Sequence, residues 1–185
     1  MRDPLLRIRS YAIASAIAAA ALGAEKLAAQ GSSSITLLDY KATVPPAWVS
    51  KTPSSTSRLA QFIVPGSDSA EIVVFFFGAS MGGNVDANLT RWRGQFSNGD
   101  TKPASERVTR DSSGTFPLTI AEYSGTYRRG IGMGSADSVR ADQTLIATIV
   151  ETPRGAMFIQ LFGPSARVST ERDTFLKFVK GIGSR

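Results

Sequence analysis

Leu59, Gln61 and Ile63 alternate with Ala60, Phe62 and Val64 along the stretch RLAQFIV at 58–64. A period of two predicts a half-buried strand, and Pro65-Gly66 ends it. EIVVFFF at 71–77 shows no alternation; a continuous apolar run of this length predicts a strand covered on both faces. The short turn between the two makes them a hairpin. The period then changes. Val85, Leu89, Trp92 and Phe96 recur at spacings of four, three and four, one apolar face of a helix that Asn84 can cap. Asp86, Arg91 and Arg93 fall off that face.

A polar stretch from Ser97 to Gly114 predicts a long loop, with a strand at 106–110. TFPLTIAEYSGTY at 115–127 predicts a strand, and RRGIGMGSADSVRAD a glycine-rich excursion. QTLIATIVETPRGAMFIQLFG predicts a hairpin turning at Thr152-Pro153-Arg154-Gly155. Gly163-Pro164 stops its second strand, and Ser169 or Thr170 is the expected cap of a last helix. Phe175, Leu176, Phe178, Val179 and Ile182 are its packing stripe. The sum is an α+β domain over 40–185: about six strands, mostly antiparallel, in a central sheet flanked by helices.

Residues 1–30 read differently. Arg2, Arg7 and Arg9 precede an apolar stretch from Tyr11 to Ala24, the layout of a signal peptide or a short anchoring helix. Leu5, Leu6, Tyr11, Ile13, Ile17 and Leu22 are the residues expected to meet a membrane surface. Both readings keep the arginines on the cytoplasmic side and export the domain C-terminal to them, to the periplasmic side of an inner membrane. We expect a retained arm, followed by a linker at 31–39 that contains GSSS.

Of the net charge of +6, residues 1–30 hold four cations and two anions, leaving +4 on 31–185. That is too small and too dispersed for a nucleic-acid footprint. The chain has no cysteine and no histidine, so thiolate chemistry, Cys-bound metal and Ser-His-Asp catalysis are excluded. No lysine has a serine three residues before it. Proton chemistry is left to carboxylates, lysines and tyrosines, and the expectation is a protein that is not an enzyme and holds no cofactor.

Four features invite a function, each with a plainer reading. GASMGGN at 78–84 follows a strand and precedes a helix, as phosphate loops do, but no lysine or hydroxyl follows the glycines; a structural turn accounts for it. RWRGQF interleaves arginine with aromatics, which suits single-stranded nucleic acid; at helical spacing Trp92 and Phe96 pack inward instead. Asp100, Asp111, Asp137 and Asp142 are scattered without calcium-loop spacing. Tyr127, Arg128 and Arg129, beside the glycine-rich excursion, suit a partner contact because tyrosine and arginine are enriched at interfaces. With Arg91 and Arg93 they are the candidate partner-binding residues.

The entry PPAW, then RLAQFIVPG, AEIVVFFFG, the helix NVDANLTRWRGQF and the closing FIQLFGPSARV…FLKFV resemble, in pattern and order over about 40–183, the PsbP-like group of exported proteins. The resemblance implies a central antiparallel sheet between helices. It also implies a non-catalytic extrinsic role on a membrane protein complex, such as a photosynthetic reaction-centre–antenna assembly. Metal-binding histidines attributed to plant members have no counterpart in this chain. The alternative is a soluble periplasmic protein that binds a small or lipid-like ligand between sheet and helix.

Overall fold

A computed structural model describes residues 33–66, 70–79, 82–97, 102–128 and 139–183. The expected arm at 1–30, with Leu5, Leu6, Tyr11, Ile13, Ile17 and Leu22, and Arg129 of the glycine-rich excursion lie outside them. The strands are β1 (Ser33–Leu37), β2 (Tyr40–Val44), β3 (Val49–Lys51), β4 (Arg58–Val64), β5 (Ala70–Phe76), β6 (Phe96–Ser97), β7 (Ser105–Asp111), β8 (Leu118–Tyr127), β9 (Arg140–Thr152) and β10 (Gly155–Pro164). The helices are α1 (Val85–Arg93) and α2 (Ser165–Lys180).

β1 and β2 form a separate antiparallel hairpin, and the main sheet runs β3-β4-β5-β10-β9-β8-β6 with β7 also on β8. Every pairing is antiparallel. The fold class is therefore α+β, as expected, with more strands than the six the periodicity shows. The additional ones are short or polar (β1, β2, β3 and β6), where two to five residues give alternation little to act on. One of them corrects the expected linker at 31–39: Ser33–Leu37 is β1, and Leu37 at its end is buried.

The alternation of side chains sorts the core into two clusters, one per sheet face. On one face Ile72, Val74, Ile120, Ile146, Val150, Ile159 and Leu161 pack under α2 and the β1–β2 hairpin. From α2 come Val168, Phe175, Phe178 and Val179; from the hairpin side come Leu37, Tyr40 and Val44. On the other face Tyr123, Leu145, Ala147, Ile149 and Phe158 meet Trp92 of α1 and Phe96. Phe96 is not on the helix as its spacing predicts: α1 ends at Arg93 with Gly94 as its C-cap, and Phe96 reaches the cluster from β6. α1 has nine residues, a little over 13 Å of helix at 1.5 Å per residue. It cannot cover a sheet seven strands wide, and the far half of its face stays open.

α1 begins as expected, with Asn84 Oδ1 accepting from the Ala87 amide at 2.8 Å. α2 is capped five residues earlier than the expected Ser169, at Pro164. Pro164, at φ −54°, sits at the N-cap without a side-chain bond and turns the chain directly from β10 into the helix. Thr170 lies inside, donating its hydroxyl to Ala166 O at 3.0 Å.

Candidate functional site

The glycine turn before α1 is tied to the helix from within. Asn88, buried on α1, donates its amide to Gly82 O at 2.8 Å and Asn84 O at 2.9 Å, and accepts from Arg91 at 2.6 Å. A Cβ on Gly82 would stand 2.5 Å from the Phe158 ring. The glycine is there because the backbone crosses an aromatic side chain, and the helix N-terminus already has its acceptor in Asn84. The turn is structural.

The open half of the α1 face carries a groove of about 270 Å³, lined by Val73, Phe75, Tyr127, Leu145 and Phe162 together with Arg58, Glu71, Gln95, Arg140 and Gln160. Its floor is aromatic. Tyr127 and Phe162 ring centroids are 4.6 Å apart, and Phe75 stacks on the half-exposed Phe77 at 5.9 Å. A second depression of about 380 Å³ shares Glu71, Arg140 and Phe162 and reaches Gln143 and Pro164.

Both arginines reach this face through a one-residue bulge. On β4, Phe62 and Val64 point to the α2 face, and strict alternation would send Arg58 with them. Between Arg58 and Ala60 the register slips: Ala60 pairs with Val74 but Arg58 with Phe75. The extra residue, Leu59, turns Arg58 over the Phe75 ring at 5.3 Å. On β9, Ile146 and Val150 point to the α2 face, so Arg140 would follow. Gly125 pairs with Gln143 but Tyr127 with Arg140, leaving Ala141 and Asp142 opposite a single residue, with Asp142 at φ 53°. That bulge puts Arg140 beside Tyr127. Since a register slip of one inverts a side chain's face, two bulges convert two otherwise opposite-facing cations into groove residues.

Arg58 is held by Gln61 at 3.1 Å and Glu71 at 3.6 Å, and Gln61 in turn donates to Glu71 at 2.6 Å. Arg140 is exposed, with no side-chain hydrogen bond or ion pair among the described residues. Of the candidate partner-binding residues, Tyr127 lines the groove. Arg128 follows it, its amide donating to Gln95 O at 2.7 Å. Arg91 is bonded to Asn88, and Arg93 pairs with Glu106 of β7 at 2.8 Å. Arg58 and Arg140 are absent from the candidates because periodicity assigns each to the wrong face. A signal existed only for Asp142, since aspartate tolerates the left-handed region a bulge needs.

On the opposite face, Arg172 of α2 forks onto both oxygens of Glu122 at 2.8 and 2.9 Å. This guanidinium holds the Glu122 carboxyl below the ordinary glutamate range. Asp111 is likewise lowered, by Lys180 at 2.6 Å and by Ser113. These are ties between helix and sheet. Among the described residues no three carboxylates gather as a metal site would require, and no helix is long and apolar enough to cross a membrane.

No protein-family model and no curated protein matches the chain. Two solved structures align over 83% of it: a Pseudomonas aeruginosa protein of unknown function, PA94, described as a putative regulator, and the cyanobacterial PsbP (CyanoP) of Synechocystis. The first is 15% identical with a TM-score of 0.43 and is covered over 97% of its length. The second is 11% identical with a TM-score of 0.46 and is covered over 92%. At these values the α+β assignment rests on the sheet itself.

Proposed function

We propose that this chain is a non-catalytic accessory subunit that docks through the open half of its α1 face onto a membrane protein complex on the exported side. The observation that carries the reading is the pair of bulges that bring Arg58 and Arg140 to an aromatic floor left uncovered by α1. Aromatic side chains and arginine are the residues enriched where proteins meet. The surface fits an extended segment of the partner with a carboxylate between apolar side chains. Following the PsbP-like resemblance of the sequence, the host is a photosynthetic reaction-centre–antenna assembly and the docked face lies in the periplasm.

A ligand held between sheet and helix is the second reading, and the packing disfavours it. Trp92, Phe96 and Phe158 fill that layer under α1, and Phe175, Phe178 and Met157 fill the one under α2. The test is gentle detergent solubilisation of native membranes containing the full chain with a C-terminal tag, beside its Arg140→Glu variant. Stoichiometric co-purification of membrane-complex subunits, lost in the variant, supports docking. Recovery of the chain alone in the soluble fraction, cut between Ala24 and Gln30, overturns it.

A further inference from the structure

The groove leaves one element without a role. β7 pairs with β8 alone, and no described strand lies on its other side. The outward-facing set of its backbone groups is fixed by its neighbours. Glu151 N donates to Pro117 O across β9 and β8 in the register that joins Leu118 to Val150. Residues 117, 119, 121 and 123 therefore bond toward β9, and 118, 120, 122 and 124 toward β7. In the β7–β8 register these meet Asp111, Thr109, Arg107 and Ser105. The amides and carbonyls of Glu106, Val108 and Arg110 are left pointing away from the sheet.

Charged side chains on an edge strand ordinarily keep other strands off. Here their order is self-complementary. Laid antiparallel against a second copy about Val108, SERVTRD places Glu106 opposite Arg110, Arg107 opposite Thr109 and Ser105 opposite Asp111. No like charges stand directly opposite. The residue on the two-fold axis is Val108, an apolar side chain 43% exposed on the edge. It belongs to the outward-bonding set, so a closely spaced hydrogen-bonded pair at the axis is allowed. Arg110, on the side of the strand that Glu106 shares, has no ion-pair partner among the described residues. Glu106 already pairs with Arg93 of its own chain at 2.8 Å, so across the axis its carboxylate is shared between Arg93 and the second copy's Arg110.

We infer that β7 joins two copies of this chain edge to edge, through antiparallel self-pairing centred on Val108. The pairing is isologous, so it closes at two, and it leaves the groove residues of each copy outside the contact. It does not depend on the docking reading.

The experiment is sedimentation of the full chain in mild detergent over a rising concentration series, with charge-reversed variants beside it. Arg110→Glu sets Glu106 against a glutamate twice per dimer, and Glu106→Arg sets arginine against Arg110 twice. Each is expected to weaken the dimer about tenfold or more. An equimolar mixture of the two restores opposite charges at both ends and recovers a heterodimer. Val108→Pro removes an outward amide while leaving the bonds to β8 in place. It is expected to be monomeric, with the melting temperature that the native chain shows at dilutions where the native chain is itself monomeric. A native chain that stays monomeric throughout overturns the proposal. So does a dimer indifferent to both reversals, or single variants whose mixture fails to associate.

Discussion

Trp48 and Glu171 show how one buried contact closes the α2 face. The indole Nε1–H donates to the Glu171 carboxylate at 2.7 Å, while the ring lies 5.0 Å from Phe178 and 5.6 Å from Phe62. Trp48→Phe keeps an aromatic there but leaves a buried carboxylate without its donor. The expected loss is about 2 kcal/mol in urea unfolding, and adding Glu171→Gln should recover part of it. No recovery would mean that ring volume, not the missing donor, sets the cost. Gly82→Ala tests the other face: its Cβ would meet the Phe158 ring at 2.5 Å, and overpacking should cost about 1–3 kcal/mol. Unchanged stability would show that the ring moves aside. Gly155 has a different reason, since the β9–β10 turn holds it at φ 113° with a Cβ position 2.9 Å from Ala79.

Between elements, ion pairs fasten α2 to the edge of the sheet that β7 and β8 form. Arg172 reaches Glu122 on β8, and Lys180 reaches Asp111 at the end of β7. Both acids have folded pKa values below their ordinary ones, each chiefly through the cation's hydrogen bond. The unfolded chain therefore binds protons first on acidification, and the stability these pairs contribute is complete above the unfolded glutamate value of 4.5. It is lost as pH falls through the lower folded values. Thermal melts of Arg172→Met between pH 7 and pH 3 should show a lower melting temperature at pH 7 and a shallower decline below pH 5. Parallel curves for the two proteins would remove Glu122 from the acid response. α1 and α2 were readable as elements because their apolar spacings are long and regular. The start of α2 was not, because its N-cap is Pro164, which has no capping side chain, and the sequence offers no hydroxyl at that position to mark it.

At the scale of the whole molecule, the two sheet faces are covered unequally. One face is closed by α2 and the β1–β2 hairpin, and the other is half closed by a helix too short for it. If the open half docks a partner through Arg58 and Arg140, binding should weaken as salt rises, and the charge-neutral Arg140→Gln should bind more weakly with a shallower salt dependence. The melting temperature should stay unchanged, because Arg140 is exposed. Binding indifferent to salt in the native chain would mean the aromatic floor carries the contact without the arginines.

Apolar periodicity alone determined the antiparallel core hairpins, both helices and the inward face of Trp92. Those features arise from local spacing, and water enforces them wherever the chain folds. Phe96, expected on the same helical face, is buried from β6 instead. The face on which Arg58 and Arg140 appear was decided by tertiary structure. A bulge is a mismatch between two strands' lengths, and it exists only once both strands are paired. The same holds for β7: its polar sequence predicts a modest strand, but which amides it turns outward depends on the register that β8 and β9 impose.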